Sequence, residues 1–467
     1  MDNKLLRGIL IVAIGAAIWF MPVPAGLKPA AWHLFAIFVA VIVGFILKPI
    51  PIGAIAFAGV TLAALTHTVK PGEALSGYAN TTIWLIVSAF LFSKAFVKTG
   101  LGRRISYLIV KAIGHKTLNL AYAVILSDLI LAPATPSNTA RAGGVIFPIV
   151  RSLCLVFDSK PGPTARKIGS FLMQAEYQGD GITSTMFMTA SSANVLFAAL
   201  ALSTFHMQIN WAAWTLGALL PGIISLLVIP YFLYKVYPPE IKETPQAREL
   251  AENELAKLGP VKQAEKILIG IFFVMLVLWA TSNINHIEPT IVAMAGVVVM
   301  IITKVITWQD VTEEHDAWDT MIWMGSLVAL ADYLNKLGVI PWFAKLIGAN
   351  IKGIAWPEAL AILALAYFFL HYCFASMSAH VTALFPAFGA VGIATGAPPL
   401  LVILVLAYFT HLSQSLTHYA TGPSPIYFGA GYVDQGTWWK LGFYIAIINI
   451  VIWAGVGIPW WKVLGLW

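Results

Sequence analysis

The sequence predicts an all-α polytopic membrane protein, with inverted repeats, about eleven transmembrane helices and two re-entrant hairpins. Three observations lead there. The 467 residues are 59% hydrophobic and 10% charged, with mean hydropathy +0.82, whereas a soluble domain is about a quarter charged. Apolar runs of about 20 residues, enough for a hydrocarbon core of roughly 30 Å, recur along the chain. A pattern in the first half returns in the second at a nearly constant offset. The runs do not alternate polar and apolar residues as β-barrel spans do.

The elements follow in order. The first apolar run, 8–23, follows a short basic N-terminus without a small-residue cleavage site, so it reads as a span rather than a signal peptide. Residues 1–29 form this helix, outside the repeat. The first repeat, 30–234, contains spans at 30–48, 52–68 and 81–100, with an amphipathic extension to about 114. A broken hairpin at 118–153, a broken span at 166–203 and a clean span at 211–234 complete it. Residues 235–262 are charged, Pro-bounded and helix-prone, and read as a cytosolic linker. The second repeat, 263–467, has spans at 263–283, 287–304 and 317–338, extended to about 352. It continues with a hairpin at 356–392, a broken span at 400–431 and a last span at 437–460.

An offset of 238 carries Thr82 to Thr320, Ser88 to Ser326, Lys98 to Lys336, Gly100 to Gly338 and Pro148 to Pro386. With N-terminus and linker in the cytosol, and each hairpin entering and leaving on one side, 20 lysines and arginines are cytosolic. Six are external (Lys28, Lys70, Lys336, Lys345, Lys352, Lys462), and Lys94 and Arg141 lie inside spans. The positive-inside rule supports that arrangement, and accounts for the net charge of +7 without nucleic acid as a partner. Each repeat then has an odd number of crossings, which inverts the two, and inverted repeats with broken helices mark secondary transporters.

The stretch "LAPATPSNTARAGGVIFPIV", 131–150, concentrates the chemistry. Pro133 and Pro136 open the backbone. Irregular backbone at membrane depth survives only inside protein or beside a wet cavity. Ser137 and Asn138 suit the N-cap of the helix that restarts there, and a helix N-terminus favours anions. Arg141 in its first turn is a permanent cation that a carboxylate ligand would balance. The second half repeats the device in "HYCFASMSAHVTALFPAF", where Ser376 matches Ser137, Ser378 matches Thr139 and His380 matches Arg141. The rival reading is that Arg141 and His380 satisfy buried carbonyls or carboxylates.

The segment after each hairpin is also broken. Thr189, Ser191, Ser192 and Asn194 in "MTASSANVLF", and Thr421, Gly422, Pro423 and Ser424 in "YATGPSPIYFG", complete a pocket or pack helices closely. Four acids lie within spans: Asp128, Glu176, Asp180 and Asp332. Glu176 and Asp180 share a helix face. They form a proton or sodium relay, face a water-filled vestibule, or pair with Lys94 or Arg141. Cys154 and Cys373 lack ligand spacing, so no metal, cofactor or disulfide is expected. No Gly-rich phosphate loop, H-E-x-x-H or nucleophile elbow is present, and the chain does not read as an enzyme.

At these residues the sequence resembles the divalent anion:sodium symporter family, in its exchanger branch of citrate/succinate and tartrate/succinate antiporters and the plastid 2-oxoglutarate/malate translocator. The carriers of the likeness include "LAPATPSNTARAGGVIFPI", "HYCFASMSAHVTALFP" and "YATGPSPIYFGAGYV". The family's first Ser-Asn-Thr motif is intact as Ser137-Asn138-Thr139, and the second is altered to Ser376-Met377-Ser378. The resemblance implies a homodimer in the inner (plasma) membrane that binds small carboxylate anions and moves hairpin-borne substrate in an elevator motion. It implies sodium-independent exchange of succinate, malate, 2-oxoglutarate, citrate or tartrate, with Arg141 and His380 where sodium-coupled members build cation sites. Sodium- or proton-coupled symport, with Glu176 and Asp180 as coupling acids, is the alternative. A membrane enzyme or sensor on a transporter scaffold is a third reading.

Overall fold

The computed structural model describes residues 3–342 and 354–467. The expected extension to about 352, with Lys345 and Lys352, runs beyond them. All regular elements among the described residues are helical, apart from an isolated bridge between Lys116 and Glu243. Ten helices among these residues are long and apolar enough to cross a membrane. Four of the ten are the hairpin arms: Thr117–Ala134, Thr139–Val156, Trp356–Cys373 and Met377–Ala394.

The breaks fall where proline and hydroxyl residues placed them. Helix Thr117–Leu131 tightens into a turn at Ala132–Ala134, runs extended through Thr135, and restarts as the wide π-helical segment Thr139–Ile146 before helix Phe147–Val156. The second hairpin runs from helix Trp356–Phe369 through a turn at Leu370–Cys373 and extended Phe374 and Ser376 into helix Met377–Ala394. The spans that follow are interrupted too: Gly169–Met186 gives way to Ser192–Phe205, and Pro399–Leu412 to Pro423–Gly429.

Several residues matched by the offset do matching jobs. Gly100 and Gly338 both take positive φ (79° and 86°) just past a long helix, a conformation glycine adopts without a Cβ penalty. Ser88 and Ser326 each donate to the carbonyl one turn back, both at 2.9 Å.

Helix Gly169–Met186 is buried over all its 18 residues, although it carries Gln174, Glu176, Gln178, Asp180, Thr183 and Ser184. It is absent from the helices apolar enough to face lipid. Protein surrounds it, so its polar side chains meet other side chains rather than hydrocarbon.

The loops that the charge pattern assigns to one face do meet. Lys98 pairs with Asp310, Arg103 with Glu254 at 3.7 Å and Lys111 with Glu252 at 3.3 Å. Helix Pro245–Leu258 of the linker thereby lies along the amphipathic helix Leu101–Ile113. Thr117 donates its backbone N–H to Lys242, and Thr244 to His115. Lys94 and Asp332, matched with opposite charge, have separate partners: Glu314 at 3.2 Å and Lys336 at 2.6 Å.

The linker's far end is held by a buried pair. Arg104 donates through Nε to Glu265 Oε1 at 2.8 Å and through Nη1 to the Gly259 carbonyl at 2.9 Å. Removing one partner of a buried pair leaves an uncompensated charge and typically costs about 3–5 kcal/mol. Glu265→Ala is therefore expected to lower the thermal unfolding midpoint of the detergent-solubilised protein by several degrees. Exposed Arg248→Ala, whose partner Glu252 sits on the surface, is expected to leave it unchanged.

Candidate functional site

The first hairpin tip is built around Arg141. Its side chain is fully buried and every guanidinium nitrogen is engaged. Nε donates to Asp128 Oδ1 at 2.8 Å, and Nη1 to the carbonyls of Thr135 and Ala190 at 3.1 and 3.0 Å. Nη2 donates to Asp180 Oδ1 at 2.9 Å, Ser184 Oγ at 2.7 Å and Thr183 Oγ1 at 3.4 Å. Thr183 in turn donates to Asp128. The guanidinium thus sits in an all-oxygen cage that ties the hairpin tip (Thr135) to the unwound segment after it (Ala190).

This corrects the expectation that Arg141 offers its charge directly to an anion. The flanking helices bring two carboxylates to the same place, so the arginine has no free donor. Of the alternatives weighed for Glu176 and Asp180, pairing with Arg141 is the one found for Asp180, and Asp128 joins it.

A polar chain leads from the cage to the second broken span. Gln414 donates from Nε2 to Asp180 Oδ2 at 2.9 Å. Asn138 donates to Gln414 Oε1 at 3.4 Å and to Thr421 Oγ1 at 3.2 Å. Tyr177 donates to the Gln414 carbonyl at 2.8 Å and shares a bond with Ser424 Oγ at 2.7 Å. Ser424 also accepts from the Thr421 N–H. A Cβ on Gly422 would stand 1.8 Å from Thr139 Oγ1, so the two segments meet where only glycine fits. Pro423 opens the short helix beside them.

The second tip differs. Ser376 caps its helix, accepting from the Ala379 N–H at 3.4 Å. His380 is fully buried with Tyr367, His371 and Phe374 around it, at ring-centroid distances of 4.3, 4.9 and 5.3 Å. Neither of its ring nitrogens has a hydrogen-bond partner among the described residues. The nearby unwound segment is joined to this hairpin by a 3.0 Å contact between His371 Nε2 and the Ala420 carbonyl. The offset that carries Arg141 to His380 also carries Asp128 to Tyr367. The second tip therefore has an aromatic phenol where the first has a carboxylate.

The structure brings Ser137, Asn138, Thr139, Thr421, Gly422 and Pro423 together. Ser137, Thr139, Ser376 and Ser378 keep partial exposure and Gly422 is exposed, which makes them the accessible polar groups at the tips. Four other predicted residues are spent internally. Thr189 donates to the Pro133 carbonyl at 2.7 Å, and Ser191 caps helix Ser192–Phe205. Asn194 donates to the carbonyls of Ser184 and Phe187, and Ser424 is held as described. Ser192 is half-buried in the first turn of its helix. Glu176 is buried, and both its carboxyl oxygens lack a partner among the described residues. Sequence reasoning missed Gln414, Tyr177 and His371. Their only signal was a polar residue in or beside a broken span.

The profile of the sodium:sulfate symporter transmembrane region matches residues 2–467. The Bacillus subtilis protein YflS, named there as a candidate malate transporter, is 49% identical over 99% of this chain and 97% of its own. Dicarboxylate transporter 1 of Arabidopsis thaliana chloroplasts is 43% identical over 98% of this chain and 82% of its own. The L-tartrate/succinate antiporter of Escherichia coli is 38% identical over 98% of both chains. Among solved structures, Neisseria gonorrhoeae MtrF, from a class of antimetabolite efflux pumps, superposes with TM-score 0.60 at 14% identity. It covers 98% of this chain and 94% of its own, a likeness of fold.

The approach of Gly422 to Thr139 is directly testable. Gly422→Ala is expected to lower the unfolding midpoint, and adding Thr139→Ala, which removes the clashing oxygen, is expected to restore part of the loss.

Proposed function

From the membership of this chain in the sodium:sulfate symporter family, whose members are membrane transporters, we propose that it is a sodium-independent exchanger of dicarboxylates. Succinate, malate, 2-oxoglutarate and tartrate are the first substrates to test, with the tricarboxylate citrate beside them. The names of the related malate, dicarboxylate and tartrate/succinate transporters support the substrate class. The observation that carries the exchange reading is the cage of Arg141. Carbonyl, hydroxyl and carboxylate oxygens are the ligands a dehydrated hard cation takes, and here a tethered guanidinium fills them. A cation fixed to the chain takes the place of a sodium ion drawn from solution on each cycle.

The anion is then held by the tips themselves. Helix starts leave N–H groups without intrahelical partners, and two such starts carry Ser137–Thr139 and Ser376–Ser378. A dicarboxylate bearing about two negative charges at neutral pH satisfies those donors. Without a substrate, the tips would cross with donors unsatisfied, and burying a polar group unpaired is costly. The empty carrier returns slowly, which makes exchange obligatory.

On this reading the repeated order of elements is an inverted pair, and the N-terminus and linker face the cytosol of a plasma-membrane protein. The hairpins belong to the moving part of a homodimeric elevator.

Reconstituted vesicles test the proposal. Labelled malate is expected to enter vesicles preloaded with unlabelled succinate and not substrate-free ones, at the same rate in sodium and potassium salts. Sodium-driven uptake into substrate-free vesicles would establish symport instead. Arg141→Ala is expected to abolish exchange because it leaves Asp128 and Asp180 buried without a counter-ion. His380→Asn is expected to weaken it with an altered pH profile. Unchanged exchange in Arg141→Ala would refute the role given to the cage.

A further inference from the structure

Glu176 is the one member of the buried acidic group at the first tip that the cage does not use. It lies one helical turn before Asp180 on helix Gly169–Met186, with 1% of its surface exposed. Neither carboxyl oxygen accepts a hydrogen bond from any described residue. The charged and titratable groups that act on it are Asp180 on its own helix, Asp128 on the first hairpin arm and Arg141 beyond the tip. Tyr427, on helix Pro423–Gly429, packs beside the next residue, Tyr177, at a ring-centroid distance of 6.1 Å.

None of these has a hydrogen bond to give. The guanidinium nitrogens of Arg141 are committed to the cage. The Tyr427 hydroxyl donates to the Ala142 carbonyl at 3.0 Å. Adjacent Tyr177 points its hydroxyl to Gln414 and Ser424.

The charges make the situation sharper. Arg141 against Asp128 and Asp180 leaves one net negative charge. An ionised Glu176 would add another, buried, unpaired and one helical turn from the cage of Arg141. A buried carboxylate without compensation takes up a proton instead. Like charge at the tip pushes the same way.

We propose that Glu176 is a proton-binding site linked to the anion site, so that a proton on Glu176 and a dicarboxylate at the tips favour each other's binding. The proposal rests on the dicarboxylate reading above and adds a second ligand to it. The transported anion is loaded together with a proton, and the acidic group never carries its full charge beside the substrate. Linkage fixes the sign: if anion binding draws in a proton, anion affinity falls as pH rises through the titration of that site.

The experiment uses the purified full-length protein in weakly buffered detergent with a pH dye. Succinate is the probe, with malate and tartrate alongside, above about pH 6.5 where substrate carboxyls are ionised. The wild type is expected to take up as much as about one proton per chain when succinate binds. Its apparent affinity is expected to weaken by up to about tenfold per pH unit. Glu176→Gln, which mimics the protonated acid, is expected to keep succinate binding, lose the proton uptake and flatten the pH slope. Glu176→Asp is expected to keep both.

Succinate binding by the wild type without proton uptake would overturn the proposal while leaving the dicarboxylate reading intact. The same follows if Glu176→Gln retains the wild-type slope, or if sodium at constant pH replaces the proton. Failure of all three acids to bind would overturn the substrate reading and this proposal with it.

Discussion

One guanidinium organises the middle of this protein. Arg141 gathers oxygens from the hairpin that carries it, from the unwound segment after that hairpin and from the buried helix between them. A permanent cation cannot shed its charge to escape burial, so the fold surrounds it with compensation. The two carboxylates that supply it are costly in their own right and tolerated because the arginine is there. Each member explains the others' presence. The opened backbone at Thr135 and Ala190 gains a purpose, since a continuous helix would have spent those carbonyls on its own ladder.

The same logic sets what lies in contact with lipid. Helix Gly169–Met186 is too polar to face hydrocarbon, and the apolar spans shield it on every side. Gln414 and Asn138 extend its polar contacts to the second half of the chain, so the site belongs to both halves. The asymmetry between tips follows from single residues. Asp128 gives the first a fixed counter-charge, and Tyr367 at the matching position gives the second a phenol bonded to Thr410, leaving His380 without an acidic partner.

Much of this was legible in the sequence. Pro133 and Pro136 announce the opened tip because proline cannot continue a helix. The offset between Gly100 and Gly338 shows in the chain before it shows in φ. The Ser-Asn-Thr stretch identified the polar tip because small hydroxyl residues beside a helix break have few other uses in an apolar chain. The partners of Arg141 were legible only in part. Asp180 was weighed beside Glu176 and Asp128 was not singled out, and only the packing of three elements shows which acids reach the guanidinium. Pairing also decides between a free cation and a caged one, which is why the direct-contact role failed. Thr189, Ser191 and Asn194 were overread for a related reason. A hydroxyl or amide beside a break looks the same in sequence whether it serves a ligand or the loose backbone next to it. Glu176 is the reverse case, its distinction being an absence of hydrogen-bond partners among the described residues that composition cannot reveal.

The linker between the halves is stitched at both ends: to the start of the first hairpin through Lys242 and Thr244, and at Gly259 to Arg104 of the first half, which also holds Glu265 at the start of the second. It therefore offers no slack. Any displacement of the first hairpin against the second half must drag helix Pro245–Leu258 along or tear those stitches. The segment that looks most like a passive tether in the sequence is a splint that fixes the first hairpin's entry to the start of the second half.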